Sequence, residues 1–282
     1  MNPFIKWAGG KRRFAEQIVG LLGTSCNHYY EPFLGGGAIL LYGEYQNAKC
    51  MDINPELINL YNVIKYDVVS LIQELSDYFV PNHSKDFYYE VRGWDRDPLS
   101  YDQINPIRRA ARFMYLNRTC YNGLWRVNGK GENNVPFGRY VNPPILQADS
   151  LLAASQYFNT KNVSFCLADY HEVGRFAGVG DIVYFDPPYD VEVGQNGFVS
   201  YTQEGFNRQD QRKLKELCDA LILKGVKVGI SNSNTSFIRE LYTEGPYDFY
   251  NLYDEISVKR TIGGTPESRR EIHELFIIGE NR

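Results

Sequence analysis

Asp186-Pro187-Pro188-Tyr189 follows the apolar run Ile182-Val183-Tyr184-Phe185, so a carboxylate, a proline carbonyl and an aromatic face come together where a buried strand ends. The prolines carry no backbone donor and fix their own φ, which makes this short turn rigid and rich in acceptors. A flat ring bearing an exocyclic amine is the ligand that such a set fits. Read alone, the four residues also describe a plain strand-terminating turn, where Asp and Pro are favoured anyway.

Other positions offer complementary chemistry. Gly35-Gly36-Gly37 lets the backbone approach a ligand closely and suits a cofactor with an adenosine moiety. The spacing is not G-x-G-x-x-G, which sets it apart from the nicotinamide dinucleotide fingerprint. Asp52 ends the next apolar segment, placed to accept from ribose hydroxyls; the competing reading makes Asp52 or Asn54 a helix N-cap. Asp169 could bind an adenine amino group with Tyr170 packed beside it, or could simply cap a loop. In Lys6-Trp7-Ala8-Gly9-Gly10-Lys11, two glycines allow the backbone to cover a ligand while cations reach outward, and the Walker spacing for a nucleoside triphosphate is absent.

Elements that must position these groups are legible in the patterning. Residues 29–33 read as a strand leading into the glycine turn and a helix over 38–45. Further strands over 48–51, 163–167, 182–185 and 226–230 end at Asp52, Asp169, Asp186 and Ser231-Asn232. In open α/β sheets ligands bind outside the carboxyl ends of strands, so the pattern points to one shared cleft. Segments 57–79, 106–116 and 209–223 have helical periodicity, and 274–278 reads as a returning strand. The stretch from Asp52 to Val163 is too long for one crossover. The expectation is an α/β fold: residues 1–55 and 161–282 form the sheet-bearing catalytic domain, and 56–160 form an inserted, mostly helical region.

Composition bounds the class. With 282 residues and 43% hydrophobic content, the chain can bury a substantial core. The cysteines Cys26, Cys50, Cys120, Cys166 and Cys218 form no C-x-x-C pair, which favours reduced thiols and a cytoplasmic protein over a zinc site or a disulfide framework. His28, His83, His171 and His273 form no H-E-x-x-H pattern, so no metal site is expected. No apolar run reaches membrane-spanning length, and the start lacks a signal-peptide core. The net charge of −4 argues weakly against a nucleic-acid partner, yet local patches decide steering. Arg108, Arg109, Arg112, Arg118, Arg126, Lys130 and Arg139 are seven cations between 108 and 141, opposed there only by Glu132. Phosphates are the expected targets of most of them. A solvated helix face is the alternative for Arg108, Arg109 and Arg112.

Lys6-Trp7-Ala8-Gly9-Gly10-Lys11, Glu31-Pro32-Phe33-Leu34-Gly35-Gly36-Gly37 and Asp186-Pro187-Pro188-Tyr189, in that order, resemble the Dam-type DNA adenine-N6 methyltransferases (D12 class, group alpha). The similarity extends through Leu116-Asn117-Arg118, Tyr121-Asn122-Gly123-Leu124 and Asn134-Val135-Pro136-Phe137-Gly138-Arg139-Tyr140. The resemblance implies a Rossmann-like domain using S-adenosyl-L-methionine, with S-adenosyl-L-homocysteine as product, a helical target-recognition insert, double-stranded DNA as partner, and neither a metal nor an obligatory protein partner. By it, Trp7, Ala8, Gly9, Lys11, Phe33, Gly35 and Gly37 enclose the methionine end of the cofactor, Asp52 takes the ribose, and Asp169 and Tyr170 hold the adenine. Asp186, Pro187 and Tyr189 would be catalytic, with Asp186 also beside the cofactor, and would receive an adenine flipped from the duplex. Arg126 would read guanine, with Lys6 and Tyr140 on the other side of the site, Asn122 filling the gap, Leu124 on a thymine methyl, and Arg118, Pro136 and Arg139 also on DNA. GATC is the expected target. Thr119-Cys120 before Tyr121, Trp125 beside Arg126, and Asn133 at a spot often aromatic depart from the family pattern and bear on flanking preference. A loop over the base is expected near 192–202, with backbone contacts from Lys259, Arg260, Arg269 and Arg270. Rival readings are cytosine-N4 methylation, methylation of RNA or of a protein glutamine, and a catalytically silent DNA-binding protein of the same fold.

Overall fold

The computed structural model describes residues 1–191, 206–256 and 274–281. In chain order the elements are α1 (Ala15–Leu22), β1 (Tyr29–Glu31), α2 (Ala38–Gly43), β2 (Ala48–Asp52), α3 (Pro55–Glu74), α4 (Lys85–Arg92), α5 (Pro98–Asp102), α6 (Pro106–Thr119), α7 (Ala148–Thr160) and β3 (Ser164–Leu167). Then follow β4 (Ile182–Phe185), α8 (Arg208–Leu223), β5 (Lys227–Ser233), α9 (Ser236–Thr243), β6 (Tyr250–Ile256) and β7 (Glu274–Gly279). The strands form a seven-stranded sheet in the order β3-β2-β1-β4-β5-β7-β6, a mixed α/β fold. Numbering descends to β1 and then jumps to β4, so the connections reverse direction at the β1/β4 pair, the place where such sheets bind ligands. No helix among the described residues is long and apolar enough to cross a membrane.

The chain divides into two compact units: Met1–Arg12 with Leu34–Leu167, and Arg13–Phe33 with Ala168–Arg282. In the first, β2 and β3 pair in parallel, with Asp52 opposite Leu167 at their carboxyl ends. Asn54 starts α3 by accepting from the N–H groups of Glu56 and Leu57, and Pro55 occupies the first turn, where a missing donor costs nothing. Helix α3 packs on β2 and β3 and also on α6 and α7. Helices within 56–160 therefore share a core with strands outside it, and the expected boundaries at 55 and 161 do not coincide with this division.

Helix α6 begins at an Asn105 cap and is buried on every side from Ala110 to Thr119. It carries Arg112, only 1% exposed. The guanidinium donates to the Val91 carbonyl (2.9 Å), the Arg92 carbonyl (2.9 Å) and the Tyr101 hydroxyl (3.1 Å), and pairs with Asp95 at 2.8 Å. A buried cation is tolerable only when it is paired and hydrogen-bonded to this degree. Arg109 pairs with Glu56, and Arg108 with Glu74 at 2.6 Å. For Arg112 this burial leaves neither the phosphate role nor the solvated face expected of it, while Arg108 and Arg109 are half-buried and already paired. All three charges are spent on acids of α3 and of the segment after α4.

In the second unit, β1, β4 and β5 run parallel, and β7 pairs antiparallel with both β5 and β6. The apolar run 182–185 is fully buried, as a strand covered on both faces requires. Strand β5 continues past the expected end at Ile230, because Ser231 and Asn232 lie opposite Phe276 and Leu275 of β7. An Asn207–Asp210 capping box starts α8.

The Arg112 cluster predicts that Arg112→Ala strips partners from Asp95 and buried carbonyls, lowering unfolding free energy by about 3–5 kcal/mol. Arg126→Ala, on an exposed position, should stay within about 0.5 kcal/mol. Denaturant midpoints of the two variants check this.

Candidate active site

The glycine turn belongs to the first unit. Gly35 and Gly37 have φ of +46° and +62°, backbone that side chains rarely adopt. A Cβ on Gly35 would meet the Trp7 indole nitrogen at 2.6 Å, and one on Gly37 the Tyr61 hydroxyl at 2.6 Å. The close approach that these glycines allow is thus already used by the protein's own aromatic rings. Tyr61 fixes the turn further by donating to the Gly35 carbonyl (3.1 Å). Asp52 holds it from the other side: one carboxylate oxygen accepts from Gly35 N–H at 3.0 Å and the other from Asn54 N–H at 2.9 Å. Burial raises the Asp52 pKa, and the donors Gly35, Asn54 and Ile53 oppose that shift. Asn54, not Asp52, is the helix cap.

The amino-terminal segment is bolted down in the same unit. Asn117 is fully buried on α6; it accepts from Lys6 N–H at 2.9 Å and donates to the Lys6 carbonyl at 2.8 Å and the Gly123 carbonyl at 3.2 Å. Trp7 stacks on Phe113, and Phe113 on Trp125 at 4.0 Å. Ala8 and Gly9 are exposed. Lys11 is not the outward cation expected: it is 3% exposed, and its ammonium donates to the Gly9 carbonyl at 2.6 Å. Arg118 is likewise buried, its guanidinium donating to the Phe4 carbonyl, and desolvation pulls its pKa down to about 10. Its guanidinium is thus engaged with the protein's own backbone, where the sequence reading puts it on DNA.

Between α6 and α7, bridges Cys120–Phe137 and Val127–Asn133 fold residues 120–137 back on themselves. Asn133 is buried in this fold and receives Arg96 on its carbonyl at 2.5 Å. Several expected DNA contacts gather on it. The Lys6 ammonium sits 4.6 Å over the Tyr140 ring, and the Tyr140 hydroxyl accepts from Asn122 N–H at 3.0 Å. Arg126 is exposed, and its Nε donates to the Asn134 side-chain oxygen at 2.7 Å. Pro136 and Arg139 are exposed and Leu124 is half-buried. Of the seven cations counted from the sequence, Arg126, Lys130 and Arg139 are the ones left facing out.

In the second unit, Phe33 follows β1 and stacks on Tyr170 at 5.2 Å, with Phe206 edge-on to Phe33 at 6.0 Å and 5.8 Å from Tyr170. The Tyr170 hydroxyl is buried and has no hydrogen-bond partner among the described residues. Asp169 caps the short turn Tyr170–Arg175, accepting from His171 N–H at 3.0 Å and lying 2.5 Å from its Nδ1. Capping was the plainer of its two readings, and it is met.

Asp186 is half-buried at the end of β4, Pro187 is buried, Pro188 exposed, and Tyr189 half-buried. The Tyr189 hydroxyl donates to Glu274 at 3.2 Å; burial first, then the charges of Asp186 and Glu274, raise its pKa, so the phenol stays neutral and keeps its proton. Gln211 donates to the Pro188 carbonyl at 2.8 Å. Phe206 and Gln211 escaped the sequence reading, which names Asn117 only within a motif and Asn232 only at a strand end, without a role for either. Asn117 and Gln211 do leave a trace, as amides on the apolar faces of periodic helices, where a polar group needs a fixed partner. The loop expected over 192–202 and the basic Lys259, Arg260, Arg269 and Arg270 lie outside the described residues.

Comparison with known proteins bears on what these arrangements serve. The model of the D12 class N6 adenine-specific DNA methyltransferases matches residues 7–261. The type II methyltransferase M1.LlaDCHI of Lactococcus lactis subsp. cremoris is 39% identical over 277 residues, covering 98% of this chain and 95% of that protein. M.MjaIII, a type II methyltransferase of Methanocaldococcus jannaschii, is 39% identical over 295 residues with 99% of each covered. The DNA adenine methylase of Escherichia coli K12 is 33% identical over 278 residues, spanning 98% of this chain and 95% of the relative. The rRNA methyltransferase AviRa from Streptomyces viridochromogenes, a solved structure, aligns with TM-score 0.37 and 12% identity over 99% of this chain and 90% of that one. With similarity sustained along nearly the whole length of these relatives, the chain belongs to the D12 class N6 adenine-specific DNA methyltransferase family.

Proposed function

We propose that this protein methylates N6 of an adenine swung out of duplex DNA, within GATC, using S-adenosyl-L-methionine and releasing S-adenosyl-L-homocysteine. One observation carries the reading: the turn ending β4 offers the Asp186 carboxylate and the Pro187 carbonyl as acceptors beside the Tyr189 ring, with no proline N–H to compete. An adenine amine donates two hydrogens, and the turn supplies two acceptors.

The residues present fit the cofactor. Asp52 is a carboxylate at a strand end next to a glycine turn, and Phe33, Tyr170 and Phe206 form an aromatic cluster of the kind that takes a flat ring. Asp52 would take the ribose, Tyr170 and Asp169 the cofactor adenine, and Trp7, Ala8, Gly9, Lys11, Phe33, Gly35 and Gly37 the methionine end, with Asp186 beside it. For Lys11 this contact runs through its backbone, since its ammonium is already engaged. When bound, the cofactor supplies an electrophilic methyl group on a sulfonium. Asp186 and the Pro187 carbonyl accept from N6, draw the nitrogen toward tetrahedral geometry and stabilise the positive charge that develops there. Tyr189 stacks on the everted base and offsets part of the cost of unpairing, about a few kcal/mol.

Within residues 56–160, the fold-back between α6 and α7 serves target recognition. Arg126 reads guanine, a pairing for which the Asn134 contact at Nε leaves the terminal nitrogens available. The cluster of Lys6, Asn122 and Tyr140 supports a second reading point, with Leu124 on a thymine methyl and Pro136 and Arg139 against the duplex.

Tritiated methyl transfer to duplex oligonucleotides followed by nucleoside analysis should give N6-methyladenine, lost when GATC is altered; N4-methylcytosine would sink the reading. Asp186→Ala should slow transfer by about 100- to 1,000-fold while the cofactor still binds in calorimetry. Arg126→Ala should cut discrimination at one guanine by about 1–3 kcal/mol, seen as converging rates on duplexes substituted at that position.

A further inference from the structure

The turn that carries the proposed acceptors cannot hold itself. Pro187 and Pro188 have no N–H, so neither can close a backbone hydrogen bond across the turn. Side chains of α8 and β5 hold it instead. Gln211, 1% exposed, donates through Nε2 to the Pro188 carbonyl at 2.8 Å, and its Oε1 accepts from Asn232 Nδ2 at 3.1 Å. Asn232 is fully buried, and its own oxygen accepts from Asp190 N–H at 3.2 Å and from Ser233 N–H at 2.8 Å. The Pro188 carbonyl and the Asp190 N–H, on either side of Tyr189, are therefore joined by two side-chain amides.

Asp190 is anchored in turn. Its carbonyl accepts from the Ser233 hydroxyl at 2.6 Å, and its carboxylate accepts from Arg208 at 2.9 and 3.2 Å and from the Thr235 hydroxyl at 2.8 Å. The relay has a fixed polarity, because reversing either amide would set oxygen against oxygen at Pro188 or donor against donor at Asp190.

Resting on the catalytic reading above, we propose that Gln211 and Asn232 are positioning residues for methyl transfer. The relay fixes the Pro188 peptide, and with it the direction of the Pro187 carbonyl and the Asp186 carboxylate. An error of about 1 Å in such acceptors costs on the order of 100-fold in rate. The obvious alternative is a buried amide pair that only satisfies the core.

The test uses the full chain, a GATC duplex and single-turnover transfer, with cofactor affinity, DNA affinity and thermal midpoint measured on every variant. Gln211→Leu and Asn232→Asp should each slow transfer about 10- to 100-fold with both affinities kept, and the double variant should be no slower than the worse single. Gln211→Glu supplies the readout that packing alone would not move. Its protonated carboxyl can donate to Pro188 and accept from Asn232, whereas the ionised form loses the donor. Its rate relative to the unmodified chain should therefore be near normal at about pH 6 and fall about tenfold by about pH 9, burial having raised the carboxyl into that range. Full-speed Gln211→Leu, a flat relative pH profile for Gln211→Glu, or rate losses matched by losses of cofactor affinity and thermal midpoint would overturn the proposal. Should Gln211→Leu not fold, the other two variants decide it. Failure of the catalytic reading looks different: the unmodified chain makes no N6-methyladenine, or Asp186→Ala retains turnover.

Discussion

Two adjacent prolines after β4 bring two carbonyl acceptors and no backbone donor, and the surrounding architecture answers that deficit. A donor-poor turn is what an amine-bearing base requires, yet it is also a turn that the backbone alone cannot stiffen. The remedy is supplied by elements distant in sequence: α8 contributes Gln211 and β5 contributes Asn232, while Glu274 at the start of β7 takes the Tyr189 hydroxyl. Strand β5 runs beyond its apolar stretch so that Ser231 and Asn232 enter the sheet as polar members of a hydrogen-bonded ladder. The sheet thus does more than present strand ends; it delivers the amides that shape one of them.

A parallel economy operates in the first unit. Missing side chains at Gly35 and Gly37 admit Trp7 and Tyr61, and Asp52 ties the resulting turn to the start of α3. Asn117 then ties the Lys6 backbone to α6, on the helix that also carries the buried Arg112. Tyr140, Asn122 and Lys6 meet because this clamp and the fold-back of residues 120–137 are built from the same stretch of chain.

Much of the sheet was legible because its strands are short apolar runs that stop at acidic residues, and the helices because their apolar positions recur with helical period. The carboxyl-terminal end of β5 was not, since Ser231 and Asn232 look like a turn until the antiparallel partner β7 is known. Charge was misread for a related reason. Counting cations along 108–141 ignores Glu56, Glu74 and Asp95, which lie outside that window and pair with Arg109, Arg108 and Arg112 in space. Lys11 and Arg118 were misjudged too, because a cation flanked by glycine or asparagine gives no local sign that it will donate to a buried carbonyl. What the motifs conveyed well was the identity of the chemistry. They could not convey which motif residues touch ligand and which brace those that do.

The internal pairing of Arg108, Arg109 and Arg112 and the burial of Arg118 have a thermodynamic corollary for association with a polyanion. Each phosphate neutralised releases condensed counterions, giving a slope of about −0.9 in log affinity against log salt. On the proposed reading, which gives Arg126 to a base, Lys130 and Arg139 are the outward cations of this stretch left for phosphate, and its share of that slope is about −2, where a count of seven would give about −6. Under that reading, duplex binding through this region is only gently ionic, and affinity survives over a wider range of ionic strength than the raw cation count implies.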